Sequence, residues 1–271
     1  MKTGEAQKER RGPAFTELLS IFLHLDHRLP VLEASAFLLF ATSLLFSSVS
    51  GLDETAAFSY MSGSGLSLTG LILVILILKN AASGWGSEYE KGTMQTFLTY
   101  PLSRGKVLLA RLTSALLIPL CLVTVARFSV IFLIAPSFAM RQFPSLVVGY
   151  LTSLTTPLLV AGLVILTVQW AKSGGVPFAV GIVTYFMVLI FTAFLLAIGY
   201  NAGRSEIVWV VYFFNPVYAF ANYYSNHMFC LFCNYPVPTF IQASELLAAN
   251  LALSVALIAS GAMLFMRRTE A

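Results

Sequence analysis

Long apolar runs separated by short polar links dominate the hydrophobic pattern of this chain. A helix needs about 20 mostly apolar residues to cross the hydrocarbon core of a bilayer. Six stretches meet this requirement. The pattern therefore predicts six membrane-spanning helices, at residues 30–50, 62–82, 107–127, 145–170, 177–199 and 245–266.

Local signals add detail to several of these spans. Ser244 and Glu245 predict a cap at the start of the sixth span, where the first N–H groups need acceptors. Pro119 and Pro157 lie inside the third and fourth spans. A proline inside a helix removes one hydrogen bond, so we expect kinks at both positions.

Composition places the whole chain in the membrane. Of its 271 residues, 58% are hydrophobic and 10% are charged, whereas a soluble domain carries about 25% charged residues. A net charge of +4 is no signature of nucleic-acid binding. The polar first dozen residues lack the pattern of a secretory signal peptide, so we expect them to be retained. The prediction is one all-α transmembrane domain over residues 1–271.

Lysine and arginine collect on one side of the predicted spans, and this bias sets the orientation of a membrane protein. The opposite loops hold only Arg141 and Arg204, with Arg127 near that face. We expect both termini to lie in the cytoplasm and the chain to lie in the cell membrane. The residues on the cytoplasmic side are Lys2, Lys8, Arg10, Arg11, Arg28, Lys79, Lys91, Arg104, Lys106, Arg111, Lys172, Arg267 and Arg268.

Residues 13–28, before the first span, are amphipathic. Their apolar residues share one helical face, formed by Phe15, Leu18, Leu19, Phe22 and Leu25. This pattern predicts a helix lying in the cytoplasmic membrane interface. The alternative is that the segment extends the first span.

Residues 87–104, here called the polar strip, link the second and third spans. Ser87 and Glu90 have the spacing of a capping box, which predicts a helix start. Pro101 ends that helix, because the residue before a proline avoids the helical region. Its apolar ridge consists of Met94, Phe97 and Leu98. Such a ridge suits docking into a groove on a soluble partner; the alternative is a capped loop that is polar because it lies in water.

The strip also carries a family pattern, E-x-E-x-G-T followed by an apolar turn and P-x-S-R. The matching residues are Glu88, Glu90, Gly92, Thr93, Pro101, Ser103 and Arg104. With six spans over nearly the whole chain, it resembles the ABC-2 type permease family. Tyr100 departs from the pattern, since relatives often carry a small residue there.

This resemblance implies the fold of a type V ABC exporter, in which the strip is a coupling helix seated on a separate ATPase subunit. The implied assembly pairs two permeases, as a homodimer or heterodimer, and places ATP and magnesium on the partner. The chain has no G-x-x-x-x-G-K-[ST] motif, and we assign it no catalytic, metal or cofactor site. The implied ATPase-coupling residues are Glu88, Glu90, Gly92, Thr93, Met94, Phe97, Leu98, Pro101 and Arg104.

Residues 201–244 contain many tyrosines and phenylalanines, which favour the membrane interface. The apolar run 207–214 is too short to cross, and Asn215-Pro216 interrupts it. We predict two short helices that dip into the outer leaflet, because backbone at that depth must be hydrogen-bonded. The resemblance implies re-entrant helices that form a lid over the exit path. The alternative is an external loop without regular structure.

Cys230 and Cys233 lie in this segment, on the side predicted to face an oxidising compartment. A disulfide between them is one interpretation. Both cysteines packing as free, small hydrophobic residues is a second. A soft metal site that adds His227 and Met228 is a third.

Arg127 lies about 20 residues beyond Lys106, roughly 30 Å along a helix. This places it near the outer interface, where its side chain can snorkel toward water. Two functional alternatives are contact with a substrate and pairing with Glu245.

Three classes of function fit a chain of this kind. The first is the permease subunit of an ABC exporter. The second, an integral-membrane enzyme, finds no intramembrane catalytic set, since the histidines lie outside the predicted spans. The third is an ion-coupled carrier or an accessory scaffold, but neither inverted repeats nor charged midplane residues are evident. The identity of a substrate does not follow from the sequence.

Overall fold

The computed structural model describes residues 15–27, 31–45, 53–63, 68–99, 103–224 and 237–268. All regular structure in these ranges is helical. In chain order the helices are α1 (Phe15–Asp26), α2 (Val31–Leu45), α3 (Glu54–Ser62), α4 (Leu68–Glu90), α5 (Thr93–Thr99), α6 (Arg104–Ile134), α7 (Pro136–Arg141), α8 (Phe143–Ala171), α9 (Gly175–Ala202), α10 (Ser205–Phe214), α11 (Pro216–Tyr224) and α12 (Phe240–Arg268).

Five of the described helices, α4, α6, α8, α9 and α12, are long and apolar enough to cross a membrane. The described part of the chain is thus all helical, with five helices that could cross a membrane, which suggests a multi-pass membrane protein as predicted. The first predicted span, 30–50, is described only over α2, a shorter apolar helix. The total of six spans therefore stays a prediction.

Helix α8 occupies the centre of the bundle, with most of its apolar length buried. Helix α12 lies along it at close range because two glycines face the contact. A Cβ on Gly162 would lie 2.8 Å from Leu257 Cβ, and one on Gly261 would lie 2.9 Å from Ile165 Cγ2. Small residues allow this approach of two helices in a membrane.

The two ends of the bundle differ in their short elements. Trp85 in α4 packs edge-on against Phe265 in α12, with ring centroids 5.8 Å apart. The polar strip begins beside this contact, and we call that end the strip end. The opposite end, here the far end, carries α3, α7, α10 and α11.

Helix α1 packs against the first turns of α6 at the strip end. Leu18 and Phe22 are fully buried there, whereas Phe15 and Leu25 on the same predicted face are exposed. A helix is therefore present within the predicted 13–28 segment. Its placement in a membrane interface stays a prediction.

Helix α4 continues without a break through Glu90. The predicted capping box is wrong, because Ser87 lies inside a helix and not at its start. Its Oγ donates to the carbonyl oxygen of Gly84 at 3.0 Å, one turn earlier. Burial of Trp85 at 0% exposure keeps this part of the helix in the bundle.

Helix α12 starts at Phe240, so the predicted cap at Ser244 and Glu245 is also wrong. The cap is Thr239, whose Oγ1 accepts from Gln242 N at 3.3 Å while Thr239 N donates to Gln242 Oε1 at 2.9 Å. This reciprocal pair is a capping box. The signal was present in the sequence a few residues earlier than predicted.

Candidate functional site

The polar strip leaves α4 through a tight turn at Lys91 and Gly92. Gly92 has a φ of +71°, a left-handed conformation that glycine adopts without steric cost. Gly92 N donates to Tyr89 O at 3.2 Å, and Gly92 O accepts from Gln95 N at 3.1 Å as α5 begins. The glycine of the E-x-E-x-G-T pattern is thus the residue that redirects the chain into α5.

Helix α5 presents a polar face outward, with Thr93, Gln95 and Thr96 exposed. Met94 is fully buried in the same apolar cluster as Phe22 and Trp85. An exposed ridge that includes Met94 is therefore wrong, because the turn at Gly92 points this side chain back into the bundle. The side chains of the other two ridge residues, Phe97 and Leu98, and all of Pro101 lie outside the described residues.

Glu88, the first glutamate of the pattern, points into the protein and not toward solvent. Arg111 in α6 donates from Nε to Glu88 Oε2 at 3.1 Å, and its Nη2 contacts Glu88 Oε1. The same guanidinium donates from Nη1 to both carboxylate oxygens of Asp26, at 2.9 and 2.8 Å. Its Cζ stands 4.3 Å from the ring centroid of Phe22. Arg111 therefore joins the strip to α1 and α6.

The charges of this cluster balance. We call Asp26, Lys79, Glu88, Arg111 and Ser114 the Arg111 network. Lys79 Nζ donates to the carbonyl oxygen of Asp26, and Ser114 Oγ donates to Asp26 Oδ2 at 2.6 Å. Two cations thus face two carboxylates in a region where Arg111 is 1% exposed. A buried charge is tolerated only when it is paired and hydrogen-bonded in this way.

A widened turn in α6 supplies the acceptor for His27. Residues Thr113–Leu117 form a π-helical segment in which Ile118 N donates to Thr113 O, five residues back. The next residue, Pro119, has no N–H. The carbonyl of Ser114 therefore lacks its usual donor, and His27 Nε2 lies 3.0 Å from it. Pro119 thus follows a π turn whose free carbonyl binds α1, and the kinks expected at Pro119 and Pro157 stay predictions.

A second attachment ties the end of α4 to the turn between α8 and α9. Gly174 N donates to Glu90 Oε1 at 2.8 Å, and Tyr89 Oη donates to Gln169 Oε1 at 2.6 Å. The backbones meet closely, since a Cβ on Gly86 would lie 2.5 Å from Gly174 Cα. A displacement of the strip would therefore be transmitted to α1, α6 and the α8–α9 turn together.

Arg104, the last residue of the pattern, begins α6 and is partly buried.

The far end carries two short helices, α10 and α11, in the external segment. The chain breaks between them at Asn215-Pro216, which leaves carbonyl groups at the end of α10 without helical donors. Asn250 in α12 supplies one, donating from Nδ2 to Phe213 O at 2.9 Å. Thr55 Oγ1 donates to Tyr224 O at 2.9 Å and closes the end of α11. The insertion of these helices into an outer leaflet stays a prediction.

The cysteine interpretations stay predictions. Cys230 and Cys233, with His227 and Met228, lie in residues 225–236, outside the described part of the chain.

Arg127 in α6 points inward and is 6% exposed, so the expectation that it snorkels toward water is wrong. Its Nη1 donates to Met61 O and lies 3.5 Å from Ser153 Oγ. Tyr60 Oη donates to the carbonyl of Arg127 at 3.2 Å, and burial raises the pKa of Tyr60 to about 12. Within the described residues, no carboxylate forms an ion pair with Arg127.

A cavity of about 440 Å³ lies beside this arginine, between α3, α4, α8, α9 and α11. Its polar lining includes Ser62, Thr152, Ser153, Thr156, Asn215 and Tyr218. Sequence reasoning missed both this cavity and the Arg111 network. In the sequence, Lys79 and Arg111 indicate orientation and Glu88 belongs to the family pattern, but nothing in the pattern pairs these residues with one another or with Asp26.

No model of a known protein family matches this chain, and no curated protein sequence matches it either.

Proposed function

We propose that this chain is the transmembrane subunit of an ABC exporter of the ABC-2 type, driven by a separate ATPase subunit. The observation that carries the proposal is the construction of the polar strip. Its glutamates anchor the strip to the bundle, and Gly92 turns α5 away from α4. The outward face of α5 is left exposed for a partner.

The anchors support a mechanical role for the strip. When ATP closes a pair of ATPase subunits, the partner pushes α5, and the Arg111 network passes the displacement to α1 and α6. The contact between Glu90 and Gly174 passes it to the α8–α9 turn. The spans then shift between two access states whose relative free energies depend on the nucleotide.

In this proposal the strip end and both termini lie in the cytoplasm. Helices α10 and α11 lie in the outer leaflet as a lid. A second permease covers part of the exposed apolar surface of α9 and α12. Met187, Ile190 and Val255 are more than half exposed, as expected for residues that face lipid or a second subunit.

The outward face of α5 gives a direct test of docking. Gln95→Arg places a long cation on that face and is expected to abolish co-purification of the ATPase from native membranes. The partner is identified by a peptide that contains G-x-x-x-x-G-K-[ST] and by vanadate-sensitive ATP hydrolysis of the complex. Asn201→Arg is the matched control, because Asn201 is an exposed polar residue at the far end.

Two results would contradict the proposal. One is unchanged ATPase recovery and ATP-driven transport with Gln95→Arg. The other is substrate transport by the purified chain alone in vesicles with an imposed ion gradient, which would favour an ion-coupled carrier.

A further inference from the structure

Two of the residues that line the cavity at the far end each have a buried polar atom without a partner in the described part of the chain. Ser62 and Asn215 are 4% and 5% exposed, and both line the cavity. Ser62 Oγ and Asn215 Oδ1 have no hydrogen-bond partner among the described residues. A buried polar atom without a partner costs free energy, so both side chains would gain by turning toward a molecule in the cavity that supplies a hydrogen bond.

The chemistry of the lining narrows the class of that molecule. The described lining contains no Asp, Glu, Lys, Arg or His, so a charged ligand would find no counterion in contact. Asn215 Oδ1 can only accept, which requires an N–H or O–H donor on the ligand. The remaining wall is apolar and aromatic, with Tyr185, Phe186 and Leu189 from α9.

The size and position of the cavity suit a small molecule. Its volume of about 440 Å³ falls in the range of roughly 300–1,000 Å³ that is usual for ligand sites. Part of its wall is the π-helical segment Met187–Phe191 of α9; such segments are frequent at functional sites. Ala193 and Ile190 are exposed beside it, so the cavity opens along the side of α9.

We propose that this cavity binds an uncharged amphiphile, with a hydroxyl or amide N–H donor directed at Asn215 and Ser62 and an apolar body against α9. Arg127 stands behind the wall, held by Met61 O and Ser153, and stabilises the polar corner without touching the ligand. That this amphiphile is the transported substrate rests on the proposed export function; the binding itself does not.

The test uses the full chain in lipid nanodiscs, without ATPase, and three fluorescent probes that share one aromatic body. Pyrenebutanol carries a neutral donor, butylpyrene carries none, and pyrenebutyrate carries an anion. Energy transfer from tryptophan to pyrene measures saturable binding. We expect pyrenebutanol to bind more tightly than the other two probes.

Variants then locate the site. Ala193→Phe fills the cavity and should abolish saturable binding of pyrenebutanol. Ala197→Phe is the matched control, since Ala197 is exposed one turn along the same helix and outside the lining. Asn215→Leu and Ser62→Ala should each weaken the alcohol about fivefold, the usual effect of one hydrogen bond, and leave butylpyrene unchanged.

Three outcomes overturn the inference. Equal binding of butylpyrene and pyrenebutanol means a crevice for lipid chains. Tighter binding of pyrenebutyrate, lost in Arg127→Met, means an anion site. Equal affinities in Ala193→Phe and Ala197→Phe mean that the probes reside in the bilayer. Each of these leaves the docking of an ATPase on α5 open, because that experiment reads co-purification and not binding.

Discussion

The strip end and the far end each bury an arginine of α6, and they treat it differently. Arg111 at the strip end contacts two carboxylates and an aromatic ring. Arg127 at the far end contacts a backbone carbonyl and a serine hydroxyl. The strip end thus pairs its arginine with carboxylates from distant elements, whereas the described residues around Arg127 offer only neutral dipoles.

This difference suits the two ends to different roles, the strip end to coupling with a partner and the far end to ligand binding. If the proposed function holds, the Arg111 network, which joins α1, α4 and α6, would make those helices move together when a partner displaces the strip. The far end, where Ser62 and Asn215 line an open cavity and each has a polar atom without a partner among the described residues, is suited to binding a ligand that supplies hydrogen bonds. Variants at the two ends should therefore fail in different ways.

The largest expected effect comes from Arg111→Met, which removes the guanidinium that pairs with both Asp26 and Glu88 and leaves Lys79 as the one cation of the Arg111 network. Breaking a buried ion pair on one side costs about 3–5 kcal/mol, whereas Arg127→Met removes neutral contacts and should cost about 1–3 kcal/mol. Thermal unfolding in detergent compares the two. Adding Asp26→Asn and Glu88→Gln to Arg111→Met should recover part of the loss; an equal or larger cost for Arg127→Met would refute the contrast.

The next largest loss of stability is expected when glycines at the two ends are replaced by alanine. Gly86→Ala drives a Cβ into backbone atoms of Ser173 and Gly174 at 2.6 and 2.5 Å, which should destabilise the protein by about 1–3 kcal/mol. Gly199→Ala meets the side chain of Val208 at 2.9 Å, which can shift, so its cost should be smaller. Gly105→Ala, with no atom nearby, is the control and should be neutral or stabilising. An unchanged stability in Gly86→Ala would mean that the start of the strip does not pack tightly against the α8–α9 turn.

Two glycines in the left-handed conformation allow a loss of stability to be distinguished from a loss of coupling to the ATPase. Gly92 and Gly203 have φ values of +71° and +68°, and neither has an atom near a Cβ position. Alanine at either site should cost about 1–2 kcal/mol, because a side chain is strained in this conformation. Only Gly92→Ala should also lower the ATPase activity coupled to transport. Equal coupling in the two variants would count against a lever at the strip.

The smallest expected effect is the pH dependence of the free energy of unfolding that Tyr60 contributes at the far end. Burial raises the pKa of Tyr60 from 10.0 to about 12, so the folded chain keeps a proton that the unfolded chain releases. The stability from this tyrosine is intact below pH 10.0 and is lost as the pH rises toward about 12. Unfolding measured across this window should depend less on pH in Tyr60→Phe than in the parent chain. Identical profiles would place Tyr60 in contact with water.

Much of the helical architecture was predictable because a spanning helix depends on local composition. The long apolar runs predicted α4, α6, α8, α9 and α12, and the break at Asn215-Pro216 predicted the pair α10 and α11. The capping box at Ser87 failed for a tertiary reason: Trp85 and Gly86 are packed against α12 and the α8–α9 turn, and this packing favours continuation of the helix. The exposed ridge that included Met94 failed because the turn at Gly92 directs this side chain back into the bundle.

The sequence alone determined a helical membrane protein with a polar strip between two of its helices, since hydrophobic length and turn residues act over short distances. The tertiary structure decided what each strip residue contacts and where the cavity lies. Arg111 and Asp26 are 85 residues apart, and the described cavity wall comes from α3, α4, α8, α9 and α11. Such pairings depend on which helix faces come together, and that is a property of the packed bundle.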